Sequence, residues 1–243
     1  MNPLNPSTHP RGSLRVSPLR ESVRGLKILY EDDRYIAFDK PAGLLVIPSP
    51  KKEKNTLIDL VNRPEVPQKN AGRWHPCHRL DRDTSGVILF ARGKKNQQAM
   101  MDAFQRHKIQ KMYIAFVHGR LKDRAGEIKS FVKDFDQRRF NRHSPAKMSI
   151  TRYKVLEVKK DFSILEVSLL TGRTNQIRIQ FSQIGHPLLG ERKYAFGKDF
   201  ALKFRRTALH ARSLQWFDPV CKKAIKVEAP LAQDMKQLWQ NNS

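Results

Sequence analysis

HPCHRLDRDTSGVILFAR, residues His75 to Arg92, joins a charged turn to an apolar run. The run from Val87 to Ala91 is short, wholly apolar and begins with two β-branched residues, which predicts a buried strand. The Thr-Ser-Gly sequence at residues 84–86 predicts a tight bend just ahead of that strand. Asp81 lies before the bend, so we expect its carboxylate on an exposed loop anchored to a buried strand, a common setting for catalytic groups.

Asp81 has two interpretations at this point. A neighbouring arginine stabilises the ionised form of a carboxylate, and an ionised carboxylate can act as a nucleophile, a general base or a metal ligand. It can also form an exposed ion pair with Arg79 or Arg82, which contributes little to stability. The local pattern alone favours the exposed pair.

The composition indicates a polyanionic partner. The chain has 47 Lys plus Arg against 23 Asp plus Glu, a formal net charge of +24. Nucleic acid explains that excess most simply, although a generally basic proteome would also produce it. No apolar run approaches the roughly 20 residues that cross a bilayer, and the N-terminus lacks the apolar core of a signal peptide. We therefore expect a cytoplasmic protein without membrane association.

The two cysteines and nearby histidines predict neither a disulfide framework nor a metal site. Cys77 and Cys221 are far apart, as is typical of a reducing compartment. His75, Cys77 and His78 are close together, but structural zinc usually has two pairs of ligands and no second pair is apparent. We assign no metal, and no role beyond packing to His75 and Cys77.

The hydrophobic pattern predicts an α+β fold with a mixed, mainly antiparallel β-sheet and flanking helices. Residues 1–24 predict a flexible basic tail and residues 25–243 a single domain. The predicted strands are Leu26–Tyr30, Tyr35–Asp39, Gly86–Arg92, Lys111–Gly119, Ser149–Val158, Phe162–Leu170 and Thr207–Phe217, and the predicted helices are Asn96–His107, a segment containing Ile177–Ile184, and Pro230–Gln240.

Three segments carry more specific expectations. Ile177, Phe181 and Ile184 have the spacing of one buried helical face, with Thr174 or Asn175 as the N-terminal cap. Residues 49–73 predict a lysine-rich loop with one short helix. Residues 120–147 predict a basic, irregular insertion of unassigned role.

HRLDRDTSG, residues 78–86, closely resembles the HRLD-x-x-TSG catalytic motif of the RluA-type pseudouridine synthases. Further segments occur in the order of that family and extend the resemblance over roughly residues 28–216. They are DKPAGLLV (Asp39–Val46), the tyrosine-bearing KMYIAFVHG (Lys111–Gly119), the arginine-bearing segment Leu169–Tyr194, and LHA (Leu209–Ala211).

The resemblance implies an enzyme that isomerises specific uridines in RNA to pseudouridine. The uracil is detached from C1′, turned and rejoined through C5, a reaction without redox change, so no cofactor is expected. Residues 25–243 would be one pseudouridine synthase catalytic domain without an N-terminal S4-type module. The partner would be RNA, with ribosomal RNA ahead of transfer RNA, and the resemblance implies a monomer with no obligate protein partner.

The resemblance also implies roles for individual residues. Asp81 would be the nucleophile, attacking the sugar or the base, and Arg178 would pair with it and keep it charged. Tyr113 would stack on the target uracil, and its hydroxyl would help to remove the C5 proton. Arg79 would fill the gap left by the flipped base, because unstacking a base costs a few kcal/mol. RNA contacts or loop support would come from His78, Thr84, Arg173, Asn175 and Gln176.

Two departures from the family pattern affect which side chains could transfer protons. The family often has histidine where this chain has Asn175 and Gln180. Amides keep hydrogen-bonding capacity but carry no positive charge, so we expect these positions to bind or support rather than to transfer protons.

Two rival hypotheses remain open on the sequence. The basic charge alone fits a non-catalytic RNA-binding protein. Asp81 and Asp83 together fit a magnesium-dependent nuclease, because paired carboxylates can hold that ion.

Overall fold

The computed structural model describes residues 22–23, 25–49, 53–63, 72–133, 145–195, 200 and 202–241, called the described residues below. Their strands are β1 (Ser22–Val23), β2 (Leu26–Glu31), β3 (Tyr35–Lys40), β4 (Trp74–Pro76), β5 (Ser85–Arg92), β6 (Gln110–His118), β7 (Ala125–Val132), β8 (Lys147–Val158), β9 (Phe162–Leu169), β10 (Leu209–Asp218) and β11 (Lys223–Glu228). Their helices are α1 (Leu57–Val61), α2 (Gly93–Gln105), α3 (Gln176–Gln183) and α4 (Gln233–Asn241).

One eleven-stranded sheet organises these elements. Its order is β1-β2-β3-β5-β10-β6-β9-β8-β7, with β4 paired to β5 and β11 paired to β10. Among the described strands only β5 and β10 pair in parallel, and every other pairing is antiparallel. The predicted α+β class with a mixed, mainly antiparallel sheet is confirmed.

Strand β5 lies near the middle of the sheet because its side chains are buried on both faces. Ile88 and Phe90 enter one apolar core, while Val87, Leu89 and Ala91 enter another. At its start Gly86 has φ +106, and a Cβ there would lie 2.2 Å from the carbonyl oxygen of Ala211 in β10. Only glycine permits this close approach. The Thr-Ser-Gly bend therefore sets the contact between β5 and β10.

The predicted hairpins are present, and their neighbours shift by a few residues. β2 pairs with β3, and β8 pairs with β9, both antiparallel. Helix α2 begins at Gly93, three residues earlier than predicted, and ends at Gln105. The apolar stripe that predicted this helix marks only its packed face, whereas its first turn is polar.

The prediction of an irregular insertion at 120–147 is wrong for its first part, because Ala125–Val132 is the edge strand β7. Ile128 and Val132 are buried while Lys129 and Phe131 are exposed, so only one face of the strand is buried. That weak alternation is hidden among charged residues in the sequence. Residues 134–144 lie outside the described residues.

Two other predicted segments contain regular structure. Within the predicted tail, Ser22 and Val23 form β1 against β2, and residues 1–21 and 24 lie outside the described residues. Within the predicted 49–73 loop, the short helix is α1, while residues 50–52 and 64–71 lie outside the described residues. None of the helices among the described residues is long and apolar enough to cross a membrane.

Helix α3 packs against β7 and β8. Ile177 and Phe181 are buried as predicted, but Ile184 is 41% exposed because the helix ends at Gln183. Asn175 occupies the N-cap position in a left-handed conformation, with φ 56, and its side chain does not cap the helix. Gln180 fills the buried face instead, and its amide hydrogen-bonds to Thr151 (2.5 Å) and to the carbonyl of Ser149 (2.9 Å).

Candidate active site

A buried lysine anchors the loop that carries Asp81. Lys40, fully buried at the end of β3, donates from Nζ to the carbonyls of Arg82 (2.9 Å), Pro41 (2.9 Å) and Leu44 (2.8 Å). Burial lowers the pKa of Lys40 to about 7, although the charge of Asp81 opposes that shift. One ammonium group thus fixes the KPAG turn and the Asp81 loop to each other.

A buried arginine holds the residues that follow Arg82 in the same loop. Arg206 donates from Nη1 to the carbonyl of Asp83 (2.9 Å) and from Nη2 to Oγ of Ser85 (3.3 Å). Its guanidinium also forms a bidentate ion pair with Asp234 of α4, at 2.6 and 2.8 Å. The C-terminal helix is therefore tied directly to the segment between Asp81 and β5.

Asp81 lies in a cleft of about 430 Å³ formed by three parts of the chain: the loop from β4 to β5, strand β6 with the end of α2, and the start of α3. This volume is within the range of small-ligand sites. The lining residues, which define the cleft below, are Cys77–Asp81, Thr84, Met101, Phe104, Gln105, His107, Lys111, Tyr113, Leu169, Gly172–Arg178 and Leu209. Every residue assigned a catalytic or RNA-binding role from the sequence lines it.

Arg178 contacts Asp81, as predicted, but its stronger partner is a residue that the sequence interpretation missed. Nη1 of Arg178 lies 3.3 Å from Oδ2 of Asp81 and 2.7 Å from Oδ1 of Asn175. Nε and Nη2 form a bidentate pair with Glu191, at 2.6 and 2.9 Å. Glu191 is the only acidic residue in the arginine-bearing segment Leu169–Tyr194, a signal that could have identified it.

The Arg178–Glu191 pair keeps both partners charged. Burial alone would raise the pKa of Glu191, but the hydrogen bonds and charge of Arg178 lower it overall. Burial would lower the pKa of Arg178, and the bonds to Glu191 outweigh that effect and raise it. Two backbone N–H groups, of Lys193 (2.8 Å) and Tyr194 (3.1 Å), also donate to Glu191. The guanidinium is thus oriented before any substrate binds, with Nη1 directed at Asp81.

Tyr113 projects from the middle of β6, whose neighbours in the sheet are β9 and β10. Its side chain is 8% exposed. Burial raises the pKa of the Tyr113 phenol, and the charge of Asp81 raises it further. The phenol is therefore protonated near pH 7, and its ring forms one wall of the cleft.

His78 and Thr84 support the loop from within. The N–H of Leu89 donates to Nε2 of His78 (3.1 Å), and the imidazole packs on Phe104 with ring centroids 4.9 Å apart. Burial, reinforced by the charge of Lys111, lowers the pKa of His78 to about 3, so its imidazole is neutral. Thr84 is buried, and its N–H donates to the carbonyl of Asp81 (3.2 Å). Arg79, by contrast, is exposed at the cleft.

The residues before α3 differ in how far they are committed to internal contacts. Asn175 accepts from Arg178 and donates to the hydroxyl of Tyr194 (3.1 Å). Gln176 is buried and bonds through both amide atoms, to Thr171 (2.8 Å), the N–H of Arg173 (3.0 Å), the carbonyl of Ile150 (3.1 Å) and Thr151 (2.9 Å). Arg173 is only partly buried and lines the cleft.

The residues weighed for metal binding do not converge. No group of three or more His, Cys, Asp or Glu side chains that could hold a metal ion occurs among the described residues. Asp83 is exposed and does not line the cleft, so it is not paired with Asp81 there. Burial raises the pKa of the Cys77 thiol to about 12, and burial lowers the pKa of His75.

The family and the fold are shown by comparison with known proteins. Residues 34–183 match the model of the RNA pseudouridylate synthase family. YhcT, an uncharacterized RNA pseudouridine synthase of Bacillus subtilis, is 33% identical over 217 residues, covering 88% of this chain and 71% of the relative. Ribosomal large subunit pseudouridine synthase D of Xylella fastidiosa is 31% identical over 226 residues, covering 88% and 68%.

A solved structure agrees on the architecture. Human RNA Pseudouridylate Synthase Domain Containing 4 superposes with a TM-score of 0.72 at 22% identity, over 88% of this chain and 91% of that one. The chain belongs to the RluA-type family of RNA pseudouridine synthases. It is an isomerase that forms pseudouridine in RNA, which decides against the rival hypotheses of a nuclease and of a non-catalytic RNA-binding protein.

Proposed function

We propose that this enzyme converts uridine to pseudouridine in ribosomal RNA, with Asp81 as the nucleophile. The observation that carries the proposal is the position of Asp81: it lies in the cleft, on a braced loop, 3.3 Å from a guanidinium that Glu191 already orients. Several relatives at 31–35% identity are named ribosomal large subunit pseudouridine synthase D, which favours large-subunit ribosomal RNA. Such a substrate implies a cytoplasmic enzyme, and we propose that it acts as a monomer.

The reaction begins with entry of the target uridine into the cleft. Extruding a base from a stacked RNA costs a few kcal/mol, which a side chain can offset by taking the place of the base. Arg79 is an exposed cation of the cleft lining, two residues from Asp81, and we assign it this role. The ring of Tyr113 provides an apolar surface on which the uracil stacks.

Asp81 then attacks the nucleotide, at C1′ of the ribose or at the base. The bond from N1 to C1′ breaks, the uracil turns, the bond from C5 to C1′ forms, and the bond between Asp81 and the nucleotide breaks, which returns the free carboxylate. The proton on C5 leaves and N1 gains a proton, so the reaction is balanced without a second reactant. Nη1 of Arg178 steadies the carboxylate of Asp81 for attack, because Glu191 holds the rest of the guanidinium still.

Tyr113 takes part in removal of the C5 proton, and the charge on Asp81 affects the pKa of its hydroxyl. The charge of Asp81 helps to keep the phenol protonated. That charge disappears while Asp81 is bonded covalently to the substrate, and one cause of the raised pKa disappears with it. The hydroxyl is then better suited to mediate removal of the C5 proton.

The remaining cleft residues divide into RNA contacts and supports. Arg79 and Arg173 present cationic side chains to the cleft, and we assign RNA contacts to them. His78, Thr84, Asn175 and Gln176 are engaged in internal hydrogen bonds, so we assign them the positioning of the Asp81 loop and of Arg178.

Mapping of pseudouridines in total RNA from cells with and without the gene tests the substrate. We expect a site in large-subunit ribosomal RNA to disappear without the gene and to return when the wild-type gene is restored. A missing site in transfer RNA instead would assign the enzyme to that substrate. An unchanged pseudouridine map in ribosomal and transfer RNA would refute the proposal.

A further inference from the structure

Two cations share one arm of the cleft beyond the Asp81 site. Lys111 lies two residues before Tyr113 in β6, so both side chains point to the same face of the sheet, with Cα atoms ~7 Å apart. Gly172 faces Lys111 closely, since a Cβ at that position would lie 3.0 Å from Nζ. Arg173 follows directly, and its positive charge acts on Lys111. This arm continues toward Phe104 and His107 at the end of α2.

Neither cation is neutralised within the described residues. Lys111 and Arg173 form no ion pair there, and Nε of Arg173 is buried without a hydrogen-bond partner. Burial, followed by repulsion from Arg173, lowers the pKa of Lys111 to about 8. Placing two like charges together in a partly dehydrated site is unfavourable, and an anion bound between them would remove that cost.

We propose that Lys111 and Arg173 form a phosphate subsite, which holds the backbone phosphate adjoining the flipped uridine. The proposal rests on the RNA modification proposed above and extends it to the nucleotide beside the target. A phosphate is the anion that RNA brings into this cleft, and lysine and arginine are the side chains that commonly bind it. Lys111 is thereby a binding residue, one strand step removed from the uracil platform formed by Tyr113.

The subsite explains how the target base is positioned. The bond between base and sugar must lie at the carboxylate of Asp81 while the base rests on Tyr113. An anchored phosphate fixes the ribose relative to the strand that carries Tyr113, so the sugar has less freedom to move away from Asp81.

The salt dependence of RNA binding tests the subsite independently of catalysis. Binding of a fluorescently labelled oligouridylate is measured from about 50 to 200 mM KCl, near pH 7, for the wild type, Lys111→Met, Lys111→Arg and Lys236→Met. Lys236 is an exposed lysine of α4, outside the cleft, and its substitution removes the same charge. Single-strand binding changes its log–log salt slope by about 0.7 for each phosphate contact.

We expect Lys111→Met to reduce the slope by about 0.7, Lys111→Arg to restore it, and Lys236→Met to leave it unchanged. Equal slopes for Lys111→Met and the wild type would overturn the phosphate subsite, even if turnover fell. Pseudouridine formation is measured separately, so loss of the salt effect and loss of the proposed reaction are distinguishable outcomes.

A measurement on the unmodified protein covers the case in which Lys111→Met does not fold. The groups around Lys111 are His78, Arg173, His107, Tyr113 and Asp81. Burial lowers the pKa of His78 to about 3 and raises that of Tyr113, so neither of these groups changes charge as the pH rises through about 8. The slope of the wild type should therefore fall between about pH 7 and pH 9 while that of Lys111→Arg stays constant; parallel behaviour of the two proteins would overturn the proposal.

Discussion

Arg178 contacts two carboxylates that differ in exposure and in role. The Glu191 side chain is fully buried and accepts two hydrogen bonds from Arg178. The Asp81 side chain is partly exposed and accepts one longer hydrogen bond from Arg178. We expect this difference to matter during the reaction. The bonds from Arg178 to Glu191 can persist while the contact from Arg178 to Asp81 changes as the substrate binds. We therefore expect the chemistry of the site to depend on Glu191 as well as on Asp81.

Glu191→Gln should reduce both stability and activity. The amide keeps the shape of the side chain but leaves the charge of Arg178 uncompensated in a buried pair, a change that typically costs about 3 kcal/mol or more in free energy of unfolding. Misplacement of Nη1 should slow turnover by on the order of a hundredfold. Urea unfolding and single-turnover assays measure the two effects. Glu127→Gln, in an exposed pair with Arg152, is the control and should leave stability close to that of the wild type.

The same pair predicts a pH dependence of stability. The pKa of Glu191 is lower in the folded protein than its usual 4.5, so the folded state binds this proton less readily than the unfolded state. Its contribution is complete above about pH 4.5 and is lost as the pH falls through the folded-state pKa. The stability difference between wild type and Glu191→Gln should shrink in that acidic range. A difference that stayed constant with pH would argue against an ionised Glu191.

Tyr113→Phe separates the ring from the hydroxyl. The ring remains, so RNA affinity should be close to that of the wild type, while loss of a general acid–base group should slow turnover by roughly 10²- to 10⁴-fold. Tyr113→Leu removes the stacking surface as well and should weaken RNA binding by a further ~1–3 kcal/mol. Affinity and single-turnover rate are measured on the same RNA. A Tyr113→Phe enzyme with the wild-type rate would leave the ring as the only function of Tyr113.

The positions of site residues could be predicted where a family motif contains them. They were harder to predict where tertiary packing brings a residue to the site. Asp81, Tyr113 and Arg178 do line one cleft, as the motifs imply. Glu191 could be found only as an isolated acidic residue in a basic segment, because nothing local shows that its carboxylate is buried. Lys111 carries no signal beyond its place in a predicted strand, because Arg173 is distant from it in sequence.

At the scale of elements, the Asp81 loop is clamped between β3, β5 and α4. Lys40 ties the carbonyl of Arg82 to the KPAG turn (residues 40–43), and Arg206 ties the carbonyl of Asp83 to Asp234. Neither clamp depends on the RNA. The loop is therefore preorganised, which favours a carboxylate whose position changes little when the substrate arrives.

Lys40→Met should destabilise the protein and slow the reaction without weakening RNA binding. Lys40 donates to the carbonyls of Pro41, Leu44 and Arg82, and a hydrogen bond to a charged group typically contributes about 1.5–3 kcal/mol. Thermal unfolding and turnover measure the two effects. Lys27→Met removes an exposed lysine of the neighbouring strand and should match the wild type in both. Equal stability of the two variants would show that Lys40 does not brace the loop.

Gly86→Ala tests the junction of β5 and β10. A methyl group would overlap the carbonyl of Ala211 at 2.2 Å, and φ +106 is unfavourable for alanine. We expect a loss of more than about 4 kcal/mol of unfolding free energy, or failure to fold. Gly93→Ala is the matched control, because Gly93 has φ +72 but open space around it, and it should cost only about 1–2 kcal/mol. Similar losses in the two variants would mean that backbone conformation, not overlap, makes Gly86 necessary.

Helices and strands with a strong hydrophobic period could be predicted from the sequence, and those with a weak hydrophobic period could not. The β8–β9 hairpin and the buried strand β5 follow from alternation and from a continuous apolar run. Strand β7 was missed because only Ile128 and Val132 mark its buried face among charged neighbours. Ile184 was assigned to a buried helical face because its spacing fits a helix that in fact ends one residue earlier.

At the scale of the whole molecule, the chain combines a large positive charge with one preorganised carboxylate. The charge of +24 attracts RNA of any sequence, so affinity alone carries little information about the target. We propose that the cleft adds the specific part: a stacking platform at Tyr113, a nucleophile at Asp81 and a phosphate anchor at Lys111 and Arg173. Sheet order could not be predicted from the sequence, because it depends on pairings such as β5 with β10 that join distant segments.

The most direct test of this account is the formation of pseudouridine by Asp81→Asn on the RNA site identified by mapping. The amide is nearly the same size as the carboxylate but is not a nucleophile, so we expect no detectable product in single-turnover assays, with RNA affinity retained. Asp83→Asn, which changes an exposed carboxylate two residues away, should remain close to the wild-type rate. Pseudouridine formation by Asp81→Asn at a rate comparable with the wild type would contradict the assignment of Asp81 as the nucleophile.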